Sequence, residues 1–145
     1  MKNAIFTLLL LGAVFGVVSA QTISPQDELD IKTVFENTIR AVQAEDLNAV
    51  LTYVHPGSPL RQQAEQLSRS SFDAYDFQHE LEGMEPGSAS PEGVEARVTL
   101  TMRKISGPDF RDKRVRLMTL MRKTDEGWKI YNGRVEKVDY LDGKK

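Results

Sequence analysis

The chain reads as an α+β domain in which a curved antiparallel four-stranded sheet wraps a long N-terminal helix, with two shorter helices completing a cone. Three observations predict this. Apolar residues repeat with the 3.6-residue helical period from about residue 25 to residue 67, and the period shifts toward 2 from Phe72 onward. The alternating segments are separated by turn signals at 83–93, 106–109 and 125–127, which implies hairpin connections. Strands of roughly 11 to 13 residues, at about 3.3 Å each, would overhang a helix of about 30 Å unless the sheet bends.

The first twenty residues read as a cleaved secretory signal rather than part of the fold. Lys2 opens a short positive region, an apolar run extends from Ala4 to Val18, and Val18-Ser19-Ala20 sets small residues before Gln21. The run of roughly 17 residues spans only about 25 Å, short of the ~30 Å hydrocarbon core. Residues 21–145 are then expected to form a single soluble domain, periplasmic or secreted and free of the membrane after cleavage.

Ser24-Pro25-Gln26-Asp27 is a helix start: a serine cap, proline at the first helical position, and an acid in the first turn. Ile31, Val34, Phe35, Thr38, Ile39 and Val42 form one stripe over residues 25–44, and Val34, Phe35, Ile39 and Val42 are expected to be buried against the sheet. Asp46 caps a second, shorter helix carrying Leu47, Val50, Leu51 and Val54, which Pro56 stops by disfavouring helical geometry at His55. Ser58-Pro59 starts a third with the weak stripe Leu60, Ala64 and Leu67, broken at Arg69-Ser70-Ser71.

From Phe72 a half-buried strand is expected, with Tyr75, Phe77 and Leu81 on one phase and Asp76, Gln78, Glu80 and Glu82 on the other. Residues 83–93, with three glycines and two prolines, read as a loop. Val94, Ala96, Val98, Leu100 and Met102 then alternate with polar residues. The next strand, Arg111 to Lys123, has Val115, Leu117 and Met121 on one phase but Met118 and Leu120 on the other, which predicts cover on both faces. Asp125-Glu126-Gly127 makes a hairpin into a last strand, where the apolar phase slips near Asn132-Gly133 before Val135, as a β-bulge would produce.

The chain of 145 residues has no cysteine, which excludes disulfides, thiol nucleophiles and cysteine metal sites. Its net charge of −2 gives no reason to expect nucleic acid as a partner. The charge is nevertheless segregated: residues 21–96 carry 14 acids and 4 bases, and residues 97–145 carry 7 acids and 14 bases. Cross-strand pairing would explain this, with the acidic first strand facing basic neighbours. A basic sheet face around Arg97, Arg103, Arg114, Arg116 and Arg122 that takes an anionic ligand or acidic partner is the functional alternative.

The candidate pocket residues are Tyr53, His55, Tyr75, Phe77 and His79. His55, between a helix end and Pro56, suits a proton-transfer base at a pocket mouth, or a histidine bonding the last helix carbonyls. Tyr53, Tyr75 and Phe77 could line a small-molecule cavity or serve as core aromatics, and His79 shares their phase. The two histidines lack metal-ligand spacing, and no phosphate-binding glycine loop, nucleotide fingerprint or nucleophile elbow occurs, so no metal or cofactor is expected. Arg116, Met118, Leu120 and Arg122 form the candidate interface: two apolar side chains flanked by arginines on one strand face, as a homodimer contact through the sheet would place them.

The order of a long helix, a second helix ending in Tyr53-Val54-His55-Pro56-Gly57-Ser58-Pro59, a third helix, and strands closing with Gly127-Trp128-Lys129-Ile130-Tyr131 resembles the nuclear-transport-factor-2-like (SnoaL-like) superfamily over nearly the whole mature chain. The resemblance implies a cystatin-like cone. It also implies either a noncatalytic binding or dimerisation module or an isomerase, dehydratase or cyclase. Such enzymes place an inward aspartate in the conical pocket. Here Asp76 lies on the phase opposite Tyr75 and Phe77, and Asp73 sits at the opening end of the strand. The sequence therefore favours an exported, non-catalytic module with an apolar conical pocket for a small apolar or anionic ligand, or with a protein-interaction surface. The alternative is a small lyase or isomerase using His55 with Tyr53 or Tyr75.

Overall fold

The Ser24 hydroxyl accepts the Asp27 N–H at 3.0 Å and starts helix α1, Pro25–Gln43. The computed structural model describes residues 21–143, and the leader expected over residues 1–20 lies outside them. Two further helices follow, α2 (Leu47–Thr52) and α3 (Arg61–Ala74), then four strands, β1 (Asp76–Ser90), β2 (Gly93–Ser106), β3 (Lys113–Thr124) and β4 (Gly127–Tyr140). The strands form one antiparallel sheet in the order β1-β2-β3-β4, so β1 and β4 are its edges.

The α1 stripe packs as its spacing predicts over its first half. Ile31, Val34 and Phe35 are buried together with Val94, Ala96 and Val98 of β2 and Met121 of β3, each such side chain contributing about 1.5–3 kcal/mol. Ile39 and Val42, expected to be buried, are only half-buried. The cause is that α1 does not seat flush along its whole length: Ile39 borders a cavity, and Val42 an open depression beside Tyr75 and Phe77.

Helix α2 is capped by Asp46, whose carboxylate accepts the Ala49 N–H at 3.0 Å. It ends at Thr52, before the expected stop. The chain instead lays Val54 beside β4 as a parallel bridge: the Ile130 N–H donates to Tyr53 O and the His55 N–H to Ile130 O, both at 2.8 Å. An open strand edge thus gains two backbone partners that another half-turn of helix would not supply.

Helix α3 corrects three expectations. Ser58 does not cap it: its hydroxyl donates to Tyr131 O at 2.6 Å, and Leu60 is the N-cap with no side-chain bond. The helix continues through Ser70-Ser71, because the Ser70 hydroxyl donates to Gln66 O one turn back and Glu65 pairs with Arg69 at 2.9 Å. Phe72 is therefore helical, and the strand begins at Asp76.

Strand β1 continues through most of the stretch expected to be a loop, reaching Ser90. An edge strand tolerates Gly83, Pro86 and Gly87, since Pro86 needs no ladder donor on its free side and register shifts after Leu81 and after Pro86 absorb the irregular residues. Gly93, at φ 138°, closes the turn, and a Cβ there would lie 2.2 Å from Met121 O. Strand β3 starts at Lys113, two residues later than expected. The phase slip in β4 is observed as two register shifts, between Leu120 and Met121 and between Arg116 and Leu117, which leave Tyr131 and Glu136 unpaired. Gly133, Val135 and Val138 consequently share the inward face with Thr119, Leu117 and Val115.

Candidate ligand-binding cavity

Between α1 and the concave face of the sheet lies a cavity of about 310 Å³, at the lower end of the volumes typical of small-molecule sites. Phe35 and Ile39 of α1 form one wall, and Leu81, Val98, Leu100 and Leu117 of the first three strands form the opposite one. Leu60 and Ile130 close the side where α3 begins, and Val135, 58% exposed, stands at the opening. The lining includes two hydroxyls, both committed to backbone carbonyls: Thr38 Oγ1 donates to Val34 O at 2.7 Å and Thr119 Oγ1 to Ala96 O at 2.8 Å. Gly133, directly opposite Thr119, contributes no side chain, so the strand leaves room where any other residue would reach inward. Arg134 is the sole ionisable residue bordering the cavity among the described residues, and it stands opposite Met118, on the outer phase of β4.

The predicted pocket residues lie elsewhere and fall into three groups. Tyr53 borders a separate, more polar depression of about 510 Å³ with Asp30, Trp128 and Lys129. Lys129, which no periodicity singles out, is buried there, its ammonium donating to Thr52 O at 2.9 Å and to Glu126 at 2.6 Å. His55 packs edge-on against Tyr131 at 5.3 Å, and its Nδ1 accepts the Gly57 N–H at 2.9 Å, which makes the ring a turn-closing group. Tyr75, Phe77 and His79 do come together: Tyr75 stacks on Phe77 at 4.9 Å, and Phe77 meets His79 at 5.7 Å and Phe110 at 4.6 Å. This cluster borders a depression of about 300 Å³ at the end of α1. Gln43 clamps the strand edge there, donating to Phe77 O at 2.7 Å and accepting the His79 N–H at 2.9 Å. The His79 Nδ1 is buried without a hydrogen-bond partner among the described residues, and burial pushes the imidazole below its ordinary value near 6.5.

On the outer sheet face, the cationic residues are largely tied to acids. Arg114 donates to Glu82 at 2.6 Å across the intervening β2, Arg97 to Glu136 at 2.8 Å, and Arg122 to Glu92 at 3.0 Å. Thr101, 1% exposed, also donates to Glu82. Charge segregation in the sequence therefore resolves mainly into cross-strand and turn pairing. The Arg114 guanidinium holds Glu82 below the ordinary carboxylate range, and that of Arg97 does the same for Glu136. Met118 and Leu120, expected to be covered, are half-buried and border an outer depression of about 240 Å³ with Glu95, Asn132 and Arg134. Arg116 faces Lys137 across the strands, and Arg122 stacks on Tyr131 at 3.5 Å.

Among the described residues no helix is long and apolar enough to cross a membrane, and no group of three or more His, Cys, Asp or Glu could hold a metal ion.

A family model described as the anti-sigma-I factor RsgI9, C-terminal domain, matches residues 33–141, which spans the core of α1 through to the end of β4. The chain belongs to this family. No curated protein sequence matches it significantly. Solved structures similar to this chain include a protein assigned as an aromatic ring hydroxylase from Novosphingobium aromaticivorans, at 16% identity and TM-score 0.69 over 83% of this chain and 96% of that one. The hexachlorocyclohexane dehydrochlorinase LinA-type3 from Novosphingobium barchaimii superposes at 15% identity and TM-score 0.62, over 83% and 97% of the two chains. A nuclear-transport-factor-2-like protein of unknown function from Pseudomonas putida does so at 12% identity and TM-score 0.63, over 79% and 88%. The fold is thus that of the nuclear-transport-factor-2-like superfamily, and at these identities the likeness extends to the fold alone.

The cavity's walls could not be assembled from the sequence, because they come from α1, the start of α3 and all four strands. The one local signal is the glycine inside a strand at the phase slip, which marks both the bulge and the missing side chain at Gly133.

Proposed function

We propose that this domain of the RsgI9 C-terminal family is a non-catalytic module that binds a small apolar ligand in the cavity between α1 and the sheet. The observation that carries this reading is the chemistry of the lining. Its two hydroxyls already donate to backbone carbonyls, and the sequence's candidate proton-transfer groups, His55, Tyr53 and Tyr75, border other parts of the molecule. General acid–base catalysis needs a titratable side chain within hydrogen-bond reach of the reacting atom, and no cavity-lining carboxylate, histidine or tyrosine offers one. Burial of apolar ligand surface is what such a lining rewards, at about 25 cal/mol per Å². A family named for the terminal domain of an anti-sigma factor suits a domain whose occupancy is sensed rather than one that turns over substrate. Export through the leader would put that ligand outside the cytoplasm. A homodimer through Met118 and Leu120 on the outer face is compatible with the cavity, which opens on the other side of the sheet.

The test is native mass spectrometry of protein purified from its source, beside Gly133→Leu. A Cβ at Gly133 meets nothing closer than Met118 O at 3.6 Å, so the backbone accepts the change while the longer side chain fills the cavity. The wild type should carry a small apolar molecule and bind added 1-decanol, and the variant should do neither. A wild type that binds no apolar probe refutes the reading.

A further inference from the structure

The apolar lining does not end where the cavity opens. Inside, the walls are hydrocarbon or hydroxyls already donating to carbonyls, so a polar group held there would lose water and gain no partner. At the mouth the inward face of β4 carries the lining onward. Val135 opposite Leu117, Val138 opposite Val115 and Tyr140 opposite Lys113 follow one another along that face, on either side of the bulge at Glu136. They are 58, 40 and 47% exposed, and they make up three of the six large apolar residues that stand exposed among the described ones. Single surface valines need no explanation, but three such residues in succession on an inward face, beginning at a cavity mouth, form a strip.

Helix α3 leaves that strip open. It starts at the cavity, where Leu60 is part of the wall, and it leads into β1, whose first residue, Asp76, pairs with Ser106 at the end of β2. This is also the end of the sheet at which β4 finishes, since Met102 pairs with Lys113 and Lys113 with Tyr140. Helix and strip therefore run the same way from the same opening. Leu67, two turns beyond Leu60 on the same helix face, is exposed as well, and no residue of α3 is buried. The charged side chains along the end of β4 are engaged: Glu136 with Arg97 at 2.8 Å, Lys137 with Asp139 at 3.0 Å, and Arg111 with Asp142 at 2.8 Å. At the far end Arg111 lies over the Tyr140 ring at 3.8 Å and Lys113 over that of Phe110 at 4.8 Å.

We propose that the ligand is a single long hydrocarbon chain, uncharged along its bound length, that fills the cavity and continues out along Val135 and Val138. This rests on the apolar-cavity reading above and narrows its ligand class to chains longer than the cavity. At about 30 Å³ per heavy atom, the share that a molecule of liquid water takes, the cavity of about 310 Å³ holds roughly ten such atoms. A ligand of that size leaves Val135 and Val138 in water, whereas each methylene added beyond it covers part of them.

The experiment measures binding of 1-octanol, 1-decanol and 1-tetradecanol, below their aggregation limits, to the full mature chain and to Val138→Ser, Val138→Thr and Gly133→Leu. A fully buried methylene tightens binding about fourfold, and one lying on an open strip about twofold, so tetradecanol should bind the wild type about fifteenfold more tightly than decanol. Both Val138 variants should remove most of that gain and leave octanol binding unchanged. Gly133→Leu should weaken all three alcohols. Equal affinity for decanol and tetradecanol overturns the long-chain assignment and leaves the apolar cavity standing. A gain with chain length that survives both Val138 variants overturns it as well, since the extra carbons then lie elsewhere. So does tetradecanol binding untouched by Gly133→Leu, because the chain then rests on the surface without entering. Absence of binding by all three alcohols overturns both readings. Threonine keeps the branched shape of valine at a half-exposed position, so Val138→Thr serves should Val138→Ser unfold.

Discussion

Truncating Phe35 tests the core and the cavity at once. Its ring is 5% exposed, and it packs on one side into the cluster of Ile31, Val34, Val94, Ala96, Val98 and Met121. Its other side faces the cavity. Phe→Ala in a well-packed core costs about 3–5 kcal/mol, the transfer of the ring plus the hole left behind. The second part should be small here, because the new space merges with one that already opens to solvent, so the expected loss is about 3 kcal/mol. With a urea slope of about 1.5 kcal/mol per molar, the unfolding midpoint should fall by about 2 M. Ile39→Ala, on the half-buried part of the same stripe, should lower it by about half as much. Urea denaturation followed by far-ultraviolet circular dichroism decides between outcomes. A shift below about 0.5 M for Phe35→Ala would mean that this helix face does not press on the sheet.

Three further outcomes are expected. Burial disfavours the charged form of His79, so its folded-state pKa lies below the unfolded value near 6.5. The stability this confers is complete above that pH, and declines as pH falls from about 6.5 toward the folded-state value. Asp27, Glu82, Glu126 and Glu136 are also depressed, but their contributions fade only below about 4.5, so His79→Phe should flatten the thermal-stability profile between about pH 6.5 and 5 and leave the more acidic fall intact. A wild-type profile already flat in that window contradicts the burial of the imidazole. Thr101→Val removes a buried hydroxyl that donates to Glu82 beside Arg114 and should cost about 1–2 kcal/mol by calorimetry, and a neutral or stabilising result would show that Arg114 alone satisfies the carboxylate. The proposed outer-face dimer is tested by Leu120→Glu, which should sediment as a folded monomer beside a dimeric wild type. A wild type that is monomeric at tens of micromolar refutes the contact.

Taken alone, the sequence determined what depends on neighbours a few residues apart. Ser24 and Asp46 bond N–H groups three residues on, so the starts of α1 and α2 are written locally. The inward phase of β2 and the slip in β4 follow from the period of two, and the hairpin at Gly127 from the turn chemistry before it. Tertiary structure decided whatever depends on which element lies beside which. Residues 83–90 carry loop-forming glycine and proline, yet they pair as a strand because β1 is an edge with a free side and β2 supplies partners along its other side. Lys129 is buried because the end of α2 settles over the edge of β4, and Glu82 finds Arg114 only when three strands lie side by side. The grouping of Tyr75, Phe77 and His79 was legible, being three alternate residues of one segment. The cavity was not. Its walls come from α1, the start of α3 and four strands, and its volume is the space those elements fail to fill, a quantity fixed by how α1 and the twisted sheet meet rather than by any stretch of residues.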